Sequence, residues 1–245
     1  MAVWIAVAHH LGLASLSGIL AGIVVGGLLG RVVMRISGFT AGPSLVGVTT
    51  ENGNRVGDIT FGGTLALVVF VGLASGVLGG IIYAITEPWL RRVRPWHGLA
   101  YGVALLLAFG FNVLDPNNFD FTRFGIPLLN VAMFAALFVI FGVAIAWLFD
   151  ALSALRNGTG GMARVVEIAA WLALVPVVAA LALFIGGGAG LDPLLAIVIV
   201  AALLVPAMVL WRGLPRAIGY ASLAVVLLLG AVRTLSGLPS LVAGF

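Results

Sequence analysis

Apolar residues in this chain come in long, nearly unbroken blocks rather than at a helical or alternating period. Seven stand out, at residues 11–30, 62–86, 98–114, 126–148, 165–185, 193–210 and 217–232. A helix that is apolar on every side is buried in a large core or in lipid, and a bilayer span takes about 20 such residues. The pattern therefore predicts an all-α polytopic membrane protein with about seven transmembrane helices. Ahead of the first block, MAVWIAVA is apolar but short and is interrupted by His9 and His10. Residues 1–36 thus hold either one long tilted helix or a surface segment followed by a span.

Three polar stretches break the pattern, at residues 37–61, 115–123 and 157–161. In the first, Val46, Val48, Thr49 and Thr50 on one side and Val56, Ile59 and Thr60 on the other flank Glu51-Asn52-Gly53-Asn54. Asn-Gly between β-prone runs is a strong hairpin signal, so a small extracytoplasmic β-hairpin is expected between the first two spans. An isolated hairpin is marginal in water, so this one needs a surface to rest on. Asn157-Gly158-Thr159-Gly160-Gly161 reads as a flexible joint. Of the 34 glycines, 22 precede it, while leucine, alanine and valine dominate after it. The expected division is a glycine-rich four-helix lobe over residues 1–155, a linker over 156–163 and a leucine-rich three-helix lobe over 164–245, with Pro176 and Pro206 inside spans.

Gly18, Gly22, Gly26 and Gly30 recur every four residues in the first span, and Gly72, Gly76 and Gly80 repeat that spacing in the second. Residues four apart share one helix face, and small residues let backbones approach closely where lipid offers no hydrophobic drive between helices. The two stripes predict a close antiparallel pair, a glycine zipper between spans one and two.

Composition narrows the chemistry. The chain is 62% hydrophobic and 8% charged with a mean hydropathy of +1.25, whereas soluble domains are about a quarter charged. It has no cysteine, which removes thiolate nucleophiles, disulfides and cysteine-held metals. All twelve basic residues are arginine; without lysine there is no Schiff base to retinal or pyridoxal and no phosphate-loop lysine. Serines form no G-x-S-x-G elbow. His9 and His10 point about 100° apart on a helix, which argues against one shared metal or haem. The charge of +4 suits membrane anchoring, and no nucleic-acid partner is expected.

Arg91, Arg92, Arg94, Arg156, Arg164, Arg212 and Arg216 follow the even-numbered spans, against five arginines on the opposite side. The positive-inside rule then places the amino terminus in the cytoplasm and the carboxy terminus outside, with a prokaryotic plasma membrane the expected location. Acids and arginines avoid the middle of every span, which argues against a proton relay there.

The remaining chemistry concentrates in an outer polar cap. Arg31 and Arg35, one turn apart, could hold a phosphate or carboxylate together with Arg55, Arg123, Asn112 and Asn130. Asp115, Asn117, Asn118 and Asp120 carry oxygens that suit calcium, although an Asx turn around Pro116 accounts for the same residues. No cofactor is expected, and an apolar slot between helices leaves room for a lipid, quinone or pigment. Lacking a catalytic template, the chain is expected to be an accessory or scaffold subunit of a larger membrane protein assembly, partnered by lipid and by other subunits. The alternative is a carrier or channel for a small anionic or lipid-like substrate entered from the extracytoplasmic polar cap.

Overall fold

In lipid every backbone N–H and C=O must find its partner within the spanning segment, so uninterrupted apolar blocks become helices. A computed structural model describes residues 2–42, 48, 61–114, 125–189, 192–213 and 216–243. Helix α1 (Ala2–Ala21) continues without a break through a π-helical stretch, Gly22–Leu29, into α2 (Gly30–Thr40). Helix α3 (Phe61–Ala66) likewise runs through π-helical Leu67–Leu73 into α4 (Ala74–Leu90), which a 3₁₀ turn, Arg91–Val93, closes. Helices α5 (His97–Phe109), α6 (Pro127–Arg156), α7 (Gly161–Ala189), α8 (Pro193–Gly213) and α9 (Arg216–Ala243) complete the chain.

Six helices are long and apolar enough to cross a membrane: Val3–Thr40, Phe61–Val93, Pro127–Arg156, Gly161–Gly188, Leu194–Gly213 and Ala217–Pro239. Of the seven expected spans, the third falls short. Its helix, His97–Asn112, rises about 24 Å at 1.5 Å per residue, against a hydrocarbon core of about 30 Å. The apolar run reaches Leu114, but the helix tightens into a 3₁₀ turn at Gly110–Asn112, where glycine and asparagine are poor helix formers. Residues 2–40 form one long helix rather than a surface segment and a span. The expected hairpin finds no support: no strand occurs among the described residues, Val48 lies outside any helix, and residues 49–60 lie outside the described set.

The first two spans pack antiparallel, backbone on backbone. A Cβ added to Gly18 would clash with Gly76 O and come within 2.6 Å of Gly80 N, and one on Gly22 would lie 2.7 Å from Gly76 Cα. From the other side, a Cβ on Gly80 would lie 2.7 Å from Ser15 Cα and one on Gly76 2.6 Å from Gly18 O. Gly26 is looser, 3.0 Å from Ser75 Oγ, and Gly30 is outside the contact, meeting only Val25 O of its own helix at 3.8 Å. A second close pair joins α5 to α6. There a Cβ on Gly102 would lie 2.7 Å from Val139 Cα, and one on Gly142 would lie 2.9 Å from Gly98 O.

The later helices attach to the earlier ones: Gly12 of α1 abuts the backbone of Ala170 in α7, and Gly230 of α9 abuts Ala108 in α5. One core therefore runs through the bundle, from Leu11 and Leu13 through Tyr83, Tyr101 and Phe149 to Val166 and Met208. Its tyrosines stack edge to face at 5.0 Å. The fully buried Tyr101 hydroxyl donates to Gly79 O at 2.6 Å, which removes the cost of leaving that group unpaired. These pairings gather the starts of α1, α5, α7 and α9 and the ends of α4, α6 and α8 at one end of the bundle.

Candidate functional site

That shared end holds most of the described ionisable groups. His9 and His10 are consecutive on α1, so the 100° step between them sends each ring to a different neighbour. His9 Nε2 lies 3.5 Å from Glu167 Oε1 on α7, its ring set edge-on to Trp171 at 4.9 Å. His10 Nε2 lies 3.8 Å from Glu87 Oε2 on α4, its ring edge-on to Phe149 of α6 at 5.1 Å. Glu87 is only 3% exposed because α4 continues through Pro88 to Leu90 instead of ending there. One turn on, Arg91 donates from Nε to the Glu87 carboxylate, giving this buried acid the charged partner it needs. His97, at the start of α5, lies 3.4 Å from Asp150 Oδ2, and Arg94 donates to Asp150 Oδ1 at 2.8 Å.

These helix ends surround a cavity of about 740 Å³. Arg91, Arg156 and Arg212 supply its positive charge and Glu167 its lining acid, with His9 and His10 between them. Ser153 and Asn157 add neutral polar groups, while Ile5, Leu13 and Phe149 give it an apolar side. Arg91 is engaged by Glu87, and Arg156 donates to Asn157 Oδ1 at 3.4 Å. Arg212 forms no ion pair among the described residues. With Glu87 counted and both histidines neutral, the site carries one net positive charge. Guanidinium groups offer forked donors that match carboxylate and phosphate oxygens, so the arrangement suits an organic anion with an apolar part. Trp89 and Trp211 pack edge-on at 5.5 Å beside it, and the Arg92 guanidinium lies over the Tyr220 ring at 5.6 Å. Aromatic and arginine side chains of this kind sit at membrane interfaces.

Those of the residues singled out from the sequence that the structure describes lie at the other end. Asn130 is buried at the start of α6 and accepts a hydrogen bond from Ser37 Oγ at 2.5 Å, tying α2 to α6. Gly125 adopts φ +78°, and a Cβ there would lie 2.7 Å from Thr40 Oγ1. Arg35 holds its guanidinium over Phe39 at 5.2 Å, and Asn112 donates its amide to Phe109 O at 3.2 Å. Arg31 shares α2 with Arg35, one turn away. Arg55, Arg123, Asp115, Asn117, Asn118 and Asp120 lie outside the described residues. No cluster of three or more metal-ligating side chains occurs among the described residues.

Reading the sequence alone passed over His9, His10, Glu87, Glu167, Arg156 and Arg212 as a site because each looked like an ordinary anchor at a span boundary. One signal pointed to them: Glu87 and Glu167 are acids set against long apolar runs, where an unpaired carboxylate is costly. The chain matches no known protein family, curated protein or solved structure, so its functional reading rests on its own geometry.

Proposed function

We propose that this chain is a membrane carrier that binds a small organic anion with an apolar portion in the cavity between the ends of α1, α4, α6, α7 and α8. The observation that carries the reading is the convergence of Arg91, Arg156 and Arg212 around a space of about 740 Å³ that also has apolar walls. That volume lies within the range of small-molecule sites, roughly 300–1,000 Å³, and exceeds what a bare inorganic ion needs. The site sits at the opposite end of the bundle from Arg31 and Arg35.

The same end collects seven arginines, so in this reading it faces the cytoplasm. Helix α5 serves as a seventh crossing despite its length, because Leu114 beyond it still reaches Val131, Phe134 and Leu238; the carboxy terminus is then extracytoplasmic. The glycine seams act as packing zippers that hold α1 against α4 and α5 against α6, leaving the helix ends around the cavity to carry the polar groups.

Calorimetric titration of the purified chain tests the ligand class. Dioctanoyl phosphatidylglycerol carries one negative charge and two short acyl chains, and it should bind at least about tenfold more tightly than zwitterionic dioctanoyl phosphatidylcholine. Glycerol phosphate, which lacks the apolar part, should bind more weakly than the lipid. Equal affinity for the two lipids contradicts the proposal.

A second reading, an accessory subunit of a larger assembly, draws on the late helices. Phe184, Leu194 and Leu210 stand more than 70% exposed there, a surface that a neighbouring subunit or lipid could cover. Recovery of the chain in stoichiometric complex with other membrane proteins supports this reading, and a lone stable monomer contradicts it.

A further inference from the structure

All three histidines of the chain lie at the cavity end, and each faces a carboxylate on another helix: His9 with Glu167, His10 with Glu87 and His97 with Asp150. Only His9 and His10 also line the cavity. The groups around them come from every helix packed there. Glu167 and Trp171 of α7 face His9; Glu87 of α4, Arg91 of the following turn, Phe149 and Arg156 of α6 and Arg212 of α8 surround His10. Buried His10 Nε2 has no hydrogen-bond partner among the described residues, so it has an open position for a proton beside a carboxylate.

An imidazole is the side chain whose charge changes near neutral pH. An anion held by Arg156 and Arg212 would place negative charge next to the His10 imidazole and offset the burial and the guanidiniums that compete there with a proton. The proton in turn adds positive charge facing the anion. Such coupling between two ligands is reciprocal. Resting on the anion-binding reading above, we propose that His10 forms a proton site coupled to the anion site, so that anion entry into the cavity takes up about one proton from the aqueous face. No covalent bond is made or broken, and the proton leaves with the anion when the cavity empties. Mid-span acids are unnecessary for this coupling, because the ionisable pairs stand at the helix ends.

Titration calorimetry of the full-length chain in buffers of different ionisation enthalpy measures the proton count directly. Dioctanoyl phosphatidylglycerol is the probe, because its charge is constant between about pH 5.5 and pH 8, where histidine titrates. Wild type should take up roughly half to one proton per lipid bound and bind about tenfold more tightly at the acidic limit than at the alkaline one. His10→Gln should abolish the uptake and flatten the pH dependence while retaining binding at the alkaline limit; His97→Gln, outside the cavity, should behave as wild type. The wild-type proton count decides the matter even if the His10 variant fails to fold. Binding without proton uptake overturns the coupling and leaves the anion reading standing. Absence of binding at every pH overturns the anion reading and the coupling with it.

Discussion

The two ends of the bundle use the same residue types for different purposes. At one end Arg91, Arg156 and Arg212 come from three different elements and turn toward a common space, with acids and imidazoles of α1, α4 and α7 set between them. At the other end, Arg35 lies over Phe39 of its own helix and Arg233 over Phe111, and the buried tie between helices is the neutral pair Ser37 and Asn130. An arginine stacked on an aromatic ring is satisfied by packing, whereas at the cavity Arg91 is held by Glu87 and Arg156 by Asn157, and Arg212 forms no ion pair among the described residues. Convergence, more than the number of charges, marks where a ligand can bind.

The scaffold that separates the ends depends on the glycine seams. Gly22→Leu or Gly102→Leu must displace backbone atoms of the facing helix, an overpacking cost of about 3 kcal/mol or more. Neither variant should give a monodisperse peak in size-exclusion chromatography, whereas Gly187→Leu, which meets open space, should elute as wild type. At the cavity end, Glu87→Leu leaves Arg91 and His10 without their buried partner. Arg91 is 58% exposed and can turn to water, so the loss should be about 1–3 kcal/mol by thermal unfolding, below the upper range for fully buried pairs.

At the opposite end, Ser37→Ala removes a buried hydrogen bond to Asn130 Oδ1, which should cost about 0.5–1.5 kcal/mol and leave ligand affinity unchanged. The smallest effect belongs to Arg94→Ala. Its bond to Asp150 joins side chains that are 53% and 40% exposed, and such pairs contribute about 0.2–1 kcal/mol.

Much of this architecture was legible in the pattern of the chain. Long apolar blocks have one backbone solution in lipid, so helices could be placed within a few residues, and the four-residue glycine spacing identified faces. Partners were harder to find. Gly142 sits in an apolar run with no repeat around it, yet it meets Gly98 and Gly102. Gly30 keeps the spacing but lies outside the contact. Length misled at residues 98–114, where hydropathy continued after the helix had tightened at Gly110.

The cavity was illegible for a physical reason. Its lining runs from Ile5 to Arg212 across four helices and the turn after α4, and no spacing rule links residues brought together by packing alone. Glu87 falls just past the second apolar block and directly before Pro88, but proline at that position does not end α4. The angular step between His9 and His10 turns the two rings to different neighbours. That same step lets each of them reach a separate carboxylate.

The most direct test of the central claim sets the two ends against each other in one binding measurement. Dioctanoyl phosphatidylglycerol is titrated into Arg156→Gln/Arg212→Gln and into Arg31→Gln/Arg35→Gln, each verified as folded by its thermal transition. Affinity should fall at least about tenfold in the first variant and stay within about twofold of wild type in the second. Loss of binding confined to the Arg31 and Arg35 variant would contradict the account and move the site to the opposite end of the bundle.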